Sequence, residues 1–162
     1  MLQEVSGDIL LSKASLIAHG VAPNDDHASG LAHALREYAP AMYKDFRHYC
    51  KTQHPKAGSL WAWAGADGRR IVALFTQEAA YNAGERPGRA TLANVNHTLH
   101  QLRRLIEHAA VKSVALPRLA TGVGGLSWAD VRPSIEKALG NLTIPVIVYS
   151  TYHAGQVADE KL

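Results

Sequence analysis

The sequence predicts an α/β domain, a three-layer α/β/α sandwich with a mixed, mostly parallel central sheet. Short apolar runs alternate along the chain with stripes of apolar residues at helical spacing, the signature of strands exchanged with crossover helices. Several of the runs lack any polar alternation, as strands covered on both faces do. One turn, between two of the runs, has hairpin chemistry, so part of the sheet is antiparallel.

The strands are expected before Gly7 and at Leu16–Ala22, Leu60–Trp63, Ile71–Thr76, Ser113–Leu116 and Ile144–Thr151. Helical faces fall between them. Leu31, Leu35 and Tyr38 share one face, and Met42, Phe46, Tyr49 and Cys50 another. The longest stripe is Leu92, Val95, Leu99, Leu102, Ile106 and Ala109, with Arg103, Arg104 and Glu107 off it. Val131, Ile135 and Leu139 make the last, stopped by Gly140, with a kink or restart expected at Pro133. Ala64–Arg70, with Gly65, Asp67 and Gly68, reads as the hairpin turn. Gln77–Ala90 is polar, with Gly84, Pro87 and Gly88, and reads as a mobile loop. Residues 1–153 are expected to form one domain and residues 154–162 a frayed polar tail.

At 162 residues, 47% apolar and 19% charged, the chain has the composition of a compact globular protein. A net charge of +3 favours anionic ligands, yet Lys and Arg are scattered rather than run together as in a nucleic-acid-binding arm. Direct nucleic-acid binding is therefore not expected unless the nucleic acid carries the ligand. The lone Cys50 leaves no internal disulfide and fits a reducing compartment. A polar N-terminus and the lack of a long apolar run point to a cytoplasmic protein with no membrane partner.

The densest chemical signal is Ala115-Leu-Pro-Arg-Leu-Ala-Thr-Gly-Val-Gly-Gly-Leu-Ser-Trp128. A strand feeds a loop holding Gly122, Gly124 and Gly125, and Ser127-x-x-Asp130 then opens a helix in the manner of a capping box. Glycines admit close approach, and backbone N–H groups at a helix start attract anions, phosphate above all. No Gly-Lys-Ser/Thr follows, so this is not a Walker P-loop. Ser29-Gly30-Leu31 begins a second helix after another strand, and two anion-friendly loops suit a diphosphate. No metal signature exists: His97-x-x-His100 lacks a third ligand nearby. Cys50 lies on an apolar helical face and reads as packed rather than nucleophilic, and Trp61 and Trp63 as core or groove wall.

Four landmarks in fixed order resemble the macrodomain family: Gly7-Asp8-Ile9, Ile17-Ala-His-Gly-Val-Ala-Pro-Asn24, Ser29-Gly30-Leu31-Ala32, and Leu116-Pro-Arg-Leu-Ala-Thr-Gly-Val-Gly-Gly125. The resemblance runs from about Val5 to Tyr152. Pro40-x-Met42-Tyr43, Tyr49-Cys50 and Gly125-Leu126-Ser127-Trp128 are similar to the branch of terminal ADP-ribose glycohydrolases and of antitoxins that remove ADP-ribose from DNA. The resemblance implies ADP-ribose, free or on a macromolecule, as the ligand, with no cofactor. It implies Asp8 and Ile9 at adenine, Asp8 accepting from the amino group as an ionised carboxylate can. Ser29, Gly30 and Leu31 would hold one phosphate. The loop of Pro117, Leu119, Ala120, Thr121, Gly122, Val123, Gly124 and Gly125 would hold the other. Tyr152 would stack on adenine, flank the distal ribose or plug a strand end.

His19, Asn24, Asp25, Asp26 and His27 fall where many macrodomains face the distal ribose. Two acids beside a histidine can serve acid–base chemistry, or simply form a solvated loop. Asn24, Asp26 and His27 are the candidate catalytic set. The glycohydrolase branch has a lysine where this chain has Gln77, and some members have an acid at the position of Gly124. An amide cannot replace the amine as a nucleophile, so the implied activity is water-mediated hydrolysis of an ADP-ribosyl adduct or of O-acyl-ADP-ribose. The alternative is a binding module without turnover.

Overall fold

The computed structural model describes residues 2–79 and 88–162. Six strands form one sheet: β1 (Leu2–Gly7), β2 (Leu16–Val21), β3 (Leu60–Ala64), β4 (Arg70–Phe75), β5 (Val114–Pro117) and β6 (Val146–Tyr152). Their order is β1-β6-β5-β2-β4-β3, with every neighbouring pair parallel except the β3–β4 hairpin. The uninterrupted apolar runs are the inner strands: β2, β4 and β5 are almost wholly buried, while the edges β1 and β3 are half-buried.

Four helices cover the sheet: α1 (Gly30–Tyr38), α2 (Pro40–Gln53), α3 (Leu92–His108) and α4 (Trp128–Leu139). Alternate strand residues point to opposite layers. Leu16, Ala18, Val72, Leu74, Leu116 and Val148 meet Val95, Leu99 and Leu102 of α3 and Val131 and Ile135 of α4. Val21, Ile71, Ala73 and Phe75 meet Leu35 of α1 and Met42, Phe46 and Cys50 of α2. The expected sandwich is thus built by the expected faces. Leu92, at the start of the α3 stripe, and Tyr38, at the end of the α1 face, are exceptions and are exposed.

Two expectations are corrected. The last helix runs unbroken from Trp128 through Pro133, with no restart. Pro133, the sixth residue of the helix, gives up the backbone bond that Ala129 O would otherwise accept, and the helix continues past it; Ser127 caps Ala129 N–H at 3.2 Å. The C-terminal tail is not frayed. Glu160 accepts from Ser12 Oγ (2.5 Å), Lys13 N–H (2.9 Å) and Tyr149 Oη (2.7 Å). Lys161 and Gln3 exchange two further bonds, and Ala158 packs so closely on Gly7 that a Cβ there would lie 2.9 Å from Ala158 Cβ. A polar segment is held by hydrogen bonds rather than apolar burial, and composition alone does not reveal that.

The middle of the expected loop Gln77–Ala90 lies outside the described residues. Its ends pair with each other: Gln77 bridges Ala90, Gln77 Nε2 donates to Gly88 O (3.0 Å), and Gly88 N–H donates to Glu78 O (3.1 Å).

Candidate functional site

Beyond the carboxyl ends of the parallel strands lie two adjoining cavities, of about 340 and 360 Å³. They share Gly30, Leu31 and Pro117 as walls and form one groove across β6, β5, β2 and β4. The first is apolar, lined by Ile9, Leu10, Ala34, Tyr149 and Tyr152 besides the shared residues. The second is lined by His19, Asp25, Asp26, Ser29, Gln77 and the loop from Pro117 through Ala120 to Gly122, Val123 and Gly124. Sequence reasoning named most of these. It missed Leu10 and Ala34 as walls, whose apolar side chains carry no chemical signal, Tyr149, which sits inside the β6 run, and Arg118, which sat unremarked inside the glycine-loop motif.

At the apolar end, Asp8 follows β1 and its Oδ1 caps Leu10 N–H at 3.0 Å, which turns the chain so that Ile9 and Leu10 face the cavity. Its Oδ2 accepts Gly155 N–H at 2.9 Å. Asp8 is 8% exposed and, unlike Ile9 and Leu10 that follow it, lines neither cavity. Each ionised oxygen retains a further lone pair, so the turn and a ligand contact are compatible. Tyr152, 63% exposed at the end of β6, lines the cavity beside them.

At the other end, two backbone arrays converge. Ser29 is the N-cap of α1, yet its side chain makes no cap bond, which leaves the first turn of the helix to meet an anion. Gly30 has φ of +62°, and a Cβ there would meet nothing within 4 Å, because that direction opens into the groove. Across from it, Leu126 N–H bonds Ala120 O and Gly125 N–H bonds Gly122 O at 3.0 Å each, curling the loop. Ala120 (φ +61°) and Gly125 (φ +78°) take left-handed backbone to make the curl. A Cβ at Gly122 also meets open space. Gly124 differs. Its Cβ would fall 2.7 Å from Ala120 O and 2.9 Å from Ala90 Cβ, so glycine is required there for the loop to close on itself. Thr121 Oγ1 bonds Arg118 O within the loop, and neither Thr121 nor Gly125 lines the groove.

The stretch between β2 and α1 is strained, with Asn24 (φ +61°) and His27 (φ +52°) both left-handed. Of the candidate catalytic residues it places only Asp26 on the groove. His27 is fully buried: its ring centroid lies 4.6 Å from that of Phe46 and 5.1 Å from that of Tyr43. Its backbone N–H and Nδ1 turn back to Asp25, at 2.7 Å to Oδ1 and 3.2 Å to the carbonyl oxygen. The buried face of α2, through Phe46, packs on the imidazole and holds it off the groove. Asn24 lines a different concavity against α2, its N–H on Cys50 Sγ at 3.3 Å. The two acids face the groove instead. Burial works against ionisation of Asp25, yet its hydrogen bonds from His27 outweigh that and hold its carboxyl below the usual range. His19, nearly fully buried beneath the groove, has its pKa pushed down to about 3 by desolvation and by His27 nearby, so its imidazole is neutral. Its Nε2 finds no hydrogen-bond partner among the described residues. Burial likewise raises the pKa of the Cys50 thiol, in keeping with a packed side chain.

Gln77, at the end of β4, lines the groove beside the acids, and the described residues lining it include no lysine. No group of three or more His, Cys, Asp or Glu suited to a metal occurs among the described residues.

A protein-family model described as the Macro domain matches residues 18–135. The DNA ADP-ribosyl transferase–DNA ADP-ribosyl glycohydrolase fusion protein of Thermosipho africanus is 27% identical, over 91% of this chain and 41% of its own. The macrodomain of Thermus aquaticus DarG superposes with a TM-score of 0.81 and 26% identity, over 93% of this chain and 98% of that one. Thermosipho africanus DarTG in complex with ADP-ribose shares the fold at a TM-score of 0.80 and 21% identity, over 96% of this chain and 42% of that one. The chain spans about two-fifths of the length of the curated relatives it matches.

Proposed function

Because the chain belongs to the macrodomain family, we propose that its groove holds ADP-ribose and that the protein releases ADP-ribose from a modified group by water-mediated hydrolysis. One observation carries the reading. A single groove joins an apolar pocket to a cradle of helix N-terminus and glycine loop. The purine fits the first, with Tyr152 at its face and Asp8, just before Ile9, for the amino group. The diphosphate fits the second, between Gly30 and Gly122. The distal ribose then lies towards Asp25, Asp26 and Gln77.

In the hydrolytic step, a water oxygen bonds the anomeric carbon of that ribose as the bond to the modified group breaks. The water gives its proton to a neighbouring carboxylate, and the departing group takes one up. Asp26, exposed in the groove with Asp25 beside it, is suited to that proton transfer. The buried ring of His27 contributes by holding Asp25 through the bonds described. With Gln77 at the groove, the route runs without a lysine nucleophile. The name of the Thermosipho relative points to DNA as the carrier of the adduct; O-acyl-ADP-ribose is the small-molecule alternative.

Gln77 also favours a second reading, a binding module that holds ADP-ribosylated partners without turnover. Calorimetry with ADP-ribose, AMP and ribose phosphate, followed by turnover assays on ADP-ribosylated oligonucleotide, ADP-ribosylated protein and O-acetyl-ADP-ribose, separates the two. Tight ADP-ribose binding with release of free ADP-ribose supports the hydrolase. Binding without release supports the module. No preference for ADP-ribose over AMP overturns both.

A further inference from the structure

A second concavity, of about 460 Å³, opens on the far side of the loop that walls the groove. It is lined by Asn24 and by Arg47, His48, Cys50, Lys51 and His54 from the second half of α2 and the residue that caps it. None of these is acidic, and four carry cationic or protonatable groups. Cations in a last helical turn complement the helix dipole, which accounts for Lys51 and His54. It does not account for Arg47 and His48, one turn earlier, gathered about the same hollow.

Position gives the cluster meaning. The purine pocket lies over β6 and β5, and the acid end of the groove over β2 and β4. Helix α2 packs against β4 and β3, so the basic hollow lies beyond the acid end, opposite the purine. A single residue step separates them, since Asn24 lines the hollow while Asp25 lines the groove. Arg47 Nη1 donates to Asn24 O at 2.8 Å, tying the rim of one to the wall of the other.

We propose that this basic hollow seats the phosphodiester backbone of a nucleic acid strand whose nucleotide carries the ADP-ribose held in the groove. The inference rests on the reading of the groove as an ADP-ribose site. Whatever is joined to the distal ribose leaves the groove at its acid end, one residue step from this cationic hollow. A polyanionic strand matches that surface; bonds to its phosphates would add affinity without reading bases.

The test compares a single-stranded oligonucleotide bearing one ADP-ribosylated nucleotide with the ADP-ribosylated nucleoside alone, by kcat/KM, or by Kd if there is no turnover, across a salt series. Free ADP-ribose is titrated in parallel. The wild type should favour the oligonucleotide by about tenfold or more at low salt, the advantage fading as salt rises. Lys51→Glu with His48→Glu should remove that advantage and flatten the salt dependence by about 0.7 for each phosphate no longer held, with free ADP-ribose affinity unchanged. An oligonucleotide no better than the nucleoside, or an advantage untouched by the double substitution, overturns the proposal. An equal, salt-sensitive gain for an ADP-ribosylated acidic peptide also overturns it, in favour of a protein partner. Failure of the wild type to bind free ADP-ribose overturns the reading of the groove itself.

Discussion

Asp8 Oδ2 accepts the backbone N–H of Gly155 at 2.9 Å, while Asp8 N–H donates to Gln156 O at 2.8 Å. The residue that precedes the apolar cavity wall is thus clamped by a segment almost the whole chain away. The same carboxylate caps Leu10 through Oδ1, so it serves the pocket wall and the tail together.

Asp8→Asn should weaken ADP-ribose binding by about 1.5–3 kcal/mol, the worth of a hydrogen bond to a charged group. The amide oxygen can still cap Leu10, but its NH2 would face Gly155 N–H and could not accept from it. Calorimetry with ADP-ribose and with ribose phosphate checks this. An equal loss for both ligands would place the effect away from the purine.

Glu160→Ala should loosen the tail without touching the groove directly, because three donors lose their acceptor at once. Faster amide exchange at Lys13 and Gly155 and a loss of about 1–3 kcal/mol in stability are expected. Unchanged exchange at both positions would mean that the tail is held by other bonds.

Gly122→Glu should abolish ADP-ribose binding while leaving the thermal midpoint near that of the wild type. Its side chain has open space and brings a carboxylate to the part of the groove proposed to hold the diphosphate. Gly124→Val is a different experiment: it collides with Ala120 O and should cost stability as well. Normal binding by Gly122→Glu would rule out the two-array cradle.

Stability should fall in mild acid on account of His19. Its native pKa of about 3 lies below the ordinary 6.5, so folding favours the neutral form. Above pH 6.5 both states are neutral there and nothing is lost. Below it the unfolded chain takes a proton that the native state refuses, costing up to about 1.4 kcal/mol per pH unit until the native pKa is reached. At pH 5 the cost is about 2 kcal/mol. Urea titrations at pH 7.5 and pH 5 on wild type and His19→Phe check it, and an identical drop in both proteins would assign the acid sensitivity elsewhere.

No borohydride-reducible adduct with ribose should form on the protein, since Gln77 offers no amine. If turnover is seen, Asp26→Asn should lower kcat by about a hundredfold, the scale of one general acid–base group, with ADP-ribose affinity retained. Undiminished turnover would remove Asp26 from the reaction, and a trapped adduct would identify a lysine in the role.

The sequence by itself determined the sandwich. Strand and helix periodicities are local, and a strand buried on both faces must be apolar throughout, so β2, β4 and β5 were legible from Leu16, Ile71 and Ala115 and their neighbours. The two loops that wall the groove were legible for a similar reason: Gly30 and Gly122 mark backbone that stays uncovered, and Ser29 marks a helix start. Tertiary structure alone decided where polar side chains point. His27 looked like a groove residue, yet Phe46 and Tyr43, brought over it by α2, drew its ring into the core. Residues 154–162 looked loose because nothing in their own composition shows that Asp8, Ser12 and Tyr149 wait elsewhere to bond them. Periodicity records which face of an element is buried, but the partner that buries a side chain or bonds it is fixed only when distant segments meet.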